Sequence, residues 1–77
     1  MTTSKSELRI QLVDDELIVT RAGSFYSVTY YKLPSSPALL AKRMPDRDDL
    51  RISMTAAEFL AGAWKLANEK AKALGWF

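Results

Sequence analysis

From Glu7 onward hydrophobic and polar residues alternate: Leu8, Ile10 and Leu12 share one side of an extended chain, with Glu7, Arg9 and Gln11 on the other. Asp14-Asp15 offers turn chemistry, and Glu16 to Arg21 reads as a second strand. A two-residue loop at Asp14-Asp15 sets Leu12 against Leu17 and Ile10 against Val19, so the apolar faces coincide. A three-residue loop would set Leu12 against Ile18 and Ile10 against Thr20, a poorer match. The hydrophobic pattern therefore selects the register. Gly23-Ser24 suits a type II′ hairpin, which takes Gly first. It sets Val19 against Val28 and Leu17 against Tyr30, extending the same face through a strand from Phe25 to about Lys32.

Pro34 and Pro37 interrupt the pattern, because neither can donate to a ladder. Ala38 to Met44 is then a candidate fourth strand at an edge, with the direction of Leu39 and Leu40 left open. Thr55 followed by Glu58 forms a capping box, and Met54 is placed to staple against Phe59. The helix is expected from about Ala56 to Leu74, stopping at Gly75 in a left-handed C′ position, with Trp76 at C″ of a Schellman-type stop. Phe59, Leu60, Ala63, Trp64, Leu66, Ala67, Ala71 and Leu74 form one stripe, opposite Glu58, Lys65, Glu69 and Lys72. The expected fold is α+β: an antiparallel meander of three to four strands with one C-terminal helix packed on one face. Residues 1–6 read as a disordered polar tail, and residues 7–77 as a single small domain.

Composition changes the picture in two ways. The chain has 77 residues, 48% of them hydrophobic and 26% charged, with neither Cys nor His. A domain this short buries only about 60% of its unfolded surface, and disulfides or a zinc site of nitrogen and sulfur ligands are closed to it. A second subunit is the remaining way to bury more, so a homodimer is expected. The same absence removes the imidazole base, the thiolate and the Ser-His or Cys-His nucleophile pair, so a non-enzymatic protein without a cofactor is expected. The N-terminus shows no secretion signal and no apolar run approaches a membrane span, which makes a cytoplasmic protein without membrane contact the expectation. The net charge is +2, with both signs mixed along the chain.

Several groups invite a functional reading. Asp46, Asp48 and Asp49 lie close enough for a hard cation but lack the glycine and distant Glu of an EF-hand loop; Arg47 and Arg51 stand beside them, and a solvated loop is the simpler reading. Lys42, Arg43, Arg47 and Arg51 form a basic region, the alternative site if the protein binds nucleic acid. The outward sheet face carries Glu7, Arg9 and Glu16, a net charge of −1 that does not attract phosphate. Val13, Ile18, Phe25 and Tyr31 give that face an apolar component, either a partner surface or an ordinary solvated face. Trp76 and Phe77 either fold back on the domain or act as a docking tail. Tyr26 and Tyr30 share parity with the core. The alanine row at 63, 67 and 71 suits close packing on the chain's own sheet, with a helix seam as the alternative. Gly62 falls on the polar side of the helix, where it marks either a close backbone approach by a partner or a tolerated weakness.

Glu16-Leu-Ile-Val-Thr-Arg-Ala-Gly23 with Tyr26-Ser-Val-Thr-Tyr30, and Glu58-Phe-Leu-Ala-Gly-Ala-Trp64 through Asn68-Glu-Lys-Ala-Lys to Gly75-Trp76, resemble a family of small uncharacterised bacterial proteins with no assigned activity. The resemblance covers most of the chain and implies a bacterial domain; it transfers no functional residue. The leading expectation is a non-enzymatic protein-interaction module, homodimeric, using Val13, Ile18, Phe25, Tyr31, Trp76 and Phe77. The alternative is a nucleic-acid-binding accessory protein using the basic 42–51 region.

Overall fold

The first turn forms at Asp14 and Asp15, with φ of 50° and 63°. Positive φ at both central positions is the type I′ geometry, whose twist matches the strands it joins, and aspartate tolerates that region better than most residues. The computed structural model describes residues 8–77; the tail assigned to residues 1–6, and Glu7, lie outside the described residues. Chain order is β1 (Leu8–Val13), β2 (Glu16–Arg21), β3 (Ser27–Tyr31), β4 (Leu40–Lys42) and α1 (Ala56–Ala73). The strands form one antiparallel sheet in sequence order, a meander.

Both predicted registers form. Leu12 pairs with Leu17 and Leu17 with Tyr30, while Ile10 pairs with Val19 and Val19 with Val28. These residues share one face, so Leu12 and Val28 lie on the same side. The second turn differs from the predicted one although its register is right. Its chain reversal spans Arg21–Ser24, with Ser24 N–H donating to the Arg21 carbonyl at 3.3 Å and Gly23 at φ 78° in the third position, not the second. Arg21 N–H reaches the Tyr26 carbonyl at 3.3 Å, so residues 22–25 form a loop and β3 starts at Ser27 rather than Phe25. The Tyr26 N–H goes to the Ser24 hydroxyl at 3.2 Å rather than back to Arg21, and the Phe25 N–H, which faces away from β2, is held by Asp49 Oδ2 at 3.1 Å. β4 is shorter than Ala38 to Met44, and its register sets Tyr31 opposite Leu40. Leu39 consequently turns inward and is buried.

α1 begins with the predicted capping box: Glu58 N–H donates to Thr55 Oγ1 and Thr55 N–H to the Glu58 carboxylate. Asp48 Oδ1 takes the Ala56 N–H at 2.8 Å, satisfying another orphan donor of the first turn. The helix ends as a Schellman motif, with Trp76 N–H bonded to the Ala71 carbonyl, Gly75 N–H to that of Lys72, and Gly75 at φ 80°. Phe59, Ala63, Ala67 and Ala71 are wholly buried against Leu17, Val19, Val28 and Tyr30. The alanine row is thus consumed by the chain's own sheet and leaves no helix seam. Tyr26 stacks on Phe59 with ring centroids 5.1 Å apart. Trp64 and Leu74, assigned to the same stripe, sit at its rim and remain partly exposed. Among the described residues no helix is long and apolar enough to cross a membrane.

Candidate functional site

The sheet's two margins are built differently. The two-residue turn closes on Val13 and Glu16, which must be a hydrogen-bonded pair, and hydrogen-bonded and non-hydrogen-bonded pairs alternate from there. Arg9, Gln11 and Val13 therefore direct their N–H and C=O groups at β2, while Leu8, Ile10 and Leu12 direct theirs outward. No strand covers that edge among the described residues. The same three residues carry apolar side chains on the helix side, Leu8 and Ile10 half-buried and Leu12 46% exposed. Beside them runs a groove of about 410 Å³ between β1 and α1, floored by Leu8, Ile10, Met54, Gly62 and Leu66, with Glu58, Lys65 and Glu69 on its rim.

Gly62 belongs to this groove. A Cβ there would stand 3.1 Å from Leu8 Cδ1, so the glycine leaves room for the first side chain of β1. The expectation was an approach by a partner's backbone; the neighbour found is the chain's own Leu8 side chain.

β4, at the opposite margin, spans only three residues between Pro37 and Pro45, and Arg43 at φ 58° ends it. Lys42 Nζ lies 2.6 Å from Glu16 Oε2 and 5.3 Å from the Tyr31 ring centroid. The chain beyond β4 is then fastened to the start of β3. Tyr26 Oη accepts from Asp49 N–H and donates to the Met54 carbonyl, both at 2.8 Å. The buried Asp49 carboxylate takes two bonds from the Arg51 guanidinium, at 3.0 and 2.8 Å, and further bonds from the Arg51 and Phe25 amides. The guanidinium bonds are the main reason its carboxyl is held well below the usual carboxylate range; the two amides act in the same direction and burial acts against them. Burial alone pushes the Tyr30 hydroxyl up.

The residues proposed for partners separate. Val13, Ile18 and Tyr31 share the outer sheet face, Val13 exposed and the other two half-buried, with the Lys42 to Glu16 ion pair crossing among them. Phe25 lies in the loop beyond the far end of β2, with Arg47 5.4 Å from its ring centroid. Trp76 packs against the buried core and, with Asp15, Lys32, Leu33 and Pro34, lines a second shallow pocket; Phe77 is half exposed. Of the basic group, Lys42 and Arg51 are paired with Glu16 and Asp49, and Arg47 lies over Phe25, while Arg43 is exposed. Asp46, Asp48 and Asp49 do not converge on one point: Asp48 caps α1 and Asp49 faces Arg51.

Leu8, Ile10, Leu12, Met54 and Leu66 were not among the residues expected to meet a partner. Their periodicity marks the core face correctly, but a first strand in a meander is also an edge, and that was the available signal. Comparison with protein-family models, curated proteins and solved structures gives no match.

Proposed function

We propose that this chain is a non-enzymatic protein-interaction module of the cytoplasm whose working form is a homodimer. The observation that carries this reading is the coincidence, along β1, of outward backbone groups with partly exposed Leu8, Ile10 and Leu12 beside an apolar groove. An edge left long and apolar invites pairing, and natural sheets otherwise blunt such edges. Self-association is favoured over a foreign partner because the rim of the groove carries both signs, Glu58 and Glu69 around Lys65, which does not repel a copy of itself. The polar chemistry supports contact rather than catalysis: the buried Asp49 is saturated by bonds that hold the loop, and no His or Cys is present in the sequence.

Sedimentation or native mass spectrometry at micromolar concentration is expected to return twice the chain mass of 8.7 kDa. A species of single-chain mass at the highest attainable concentration rules the homodimer out.

A further inference from the structure

We infer that two copies join through β1, related by a two-fold axis at Ile10, to make one continuous eight-stranded antiparallel sheet. This rests on the self-association proposed above and adds the seam and its register.

Three constraints select the register. Antiparallel neighbours put directly opposed side chains on the same face, so apolar residues of β1 must oppose apolar residues of its mate. That leaves pairings centred on Arg9, Ile10 or Gln11. Centring on Arg9 opposes two guanidinium groups across the seam, which is unfavourable. Centring on Gln11 carries Leu8 past the mate's Leu12 to its turn residue Asp14. Centring on Ile10 opposes Leu8 to Leu12 of the second copy, Ile10 to Ile10 and Leu12 to Leu8, with Arg9 facing Gln11 on the outer side. The same residues have outward N–H and C=O groups, so hydrogen bonding and side-chain matching agree.

The groove gives the seam breadth. A stable dimer needs about 800 Å² from each partner, more than one strand edge supplies, so the contact must include Met54 and Leu66 beside Leu8 and Ile10. Gly62 lets Leu8 lie close under α1.

The absence of cysteine from the sequence makes the test clean. Opposed residues in an antiparallel pair have Cα atoms about 4.5 to 5.5 Å apart, within disulfide range, whereas a two-residue offset across neighbouring strands gives about 8 Å, outside it. Ile10→Cys, Arg9→Cys and Gln11→Cys are prepared singly, the Gln11 variant with a longer tag, and folding is checked by circular dichroism. Under mild oxidation Ile10→Cys is expected to give a covalent dimer as its main product. Arg9→Cys and Gln11→Cys are expected to stay unlinked alone and to form the mixed covalent dimer when combined. Arg9 and Gln11 are exposed, so that pair reports even if Ile10→Cys fails to fold. A dimeric mass with linkage from Arg9→Cys or Gln11→Cys alone, or with none from any combination, overturns this seam while leaving the homodimer standing. A single-chain mass for the unmodified protein overturns both.

Discussion

The two margins of the sheet meet the same physical problem and solve it differently. β4 is three residues long, lies between prolines, and carries Lys42 tied to Glu16; each of these discourages a further strand. β1 is six residues long, has no proline or bulge, and turns the backbone groups of three apolar residues outward. Shortness and proline are ways of closing an edge, and β1 lacks both, although it carries Arg9 on its outer face. Among the described residues the meander is protected at one end and open at the other, a directional surface, and that contrast underlies the dimer proposed here.

The largest effect is expected where the β4 side is fastened. Tyr26→Phe removes the hydroxyl that serves both Asp49 N–H and the Met54 carbonyl, and leaves two inner polar groups without partners. A loss of about 2 to 4 kcal/mol, seen as a lower urea midpoint at unchanged slope, is expected. Retention of the native midpoint would show that the loop is not anchored through Tyr26.

Acid probes the same fastening. The folded state lowers the pKa of Asp49, so its contribution is complete above the ordinary aspartate value of about 3.9 and is lost progressively as pH falls from there toward the lower folded value. Asp49→Asn is expected to flatten the acid limb of a plot of melting temperature against pH. An unchanged limb assigns the acid sensitivity to other carboxylates.

Ile10→Lys puts a charge on the core-facing side of the β1 edge, at the centre of the proposed seam. Dimer affinity is expected to fall by at least about tenfold, read by sedimentation, with far-ultraviolet circular dichroism preserved. Equal loss of association and fold would remove the distinction between edge and core at this position. Gly62→Ala is a finer probe: helix propensity favours alanine by up to about 1 kcal/mol, and half-buried Leu8 can yield a few tenths of an ångström. Thermal stability of the dissociated chain is expected to rise, with a smaller gain in the dimer, where the second copy backs Leu8. The smallest effect is expected from Lys42→Ala, within about 0.5 kcal/mol, since the Lys42 and Glu16 side chains are 39% and 32% exposed, and association should be unchanged.

Much of the architecture was legible because local rules and the hydrophobic pattern agree. The pairings of Leu12 with Leu17 and Val19 with Val28 follow from alternation, since a slip by one residue would turn a strand's apolar set to water. The start of α1 at Thr55 and its stop at Gly75 follow from capping chemistry held within a few residues. The site was less legible: Leu8, Ile10 and Leu12 read as core, and whether a core-face residue is covered depends on how far α1 reaches across the sheet.

Interactions between distant segments decided the rest. Asp49, 24 positions away, holds the Phe25 N–H on the side of the chain that faces away from β2, while the Ser24 hydroxyl takes the Tyr26 N–H, and β3 begins later than its side-chain pattern suggests. The lie of α1 buries Ala63, Ala67 and Ala71 yet leaves Leu12 and the flank of Leu66 uncovered, because one helix roofs only part of a four-stranded sheet. Side-chain periodicity specifies which face of an element is apolar; how much of that face stays open is settled by the placement of whole elements against one another.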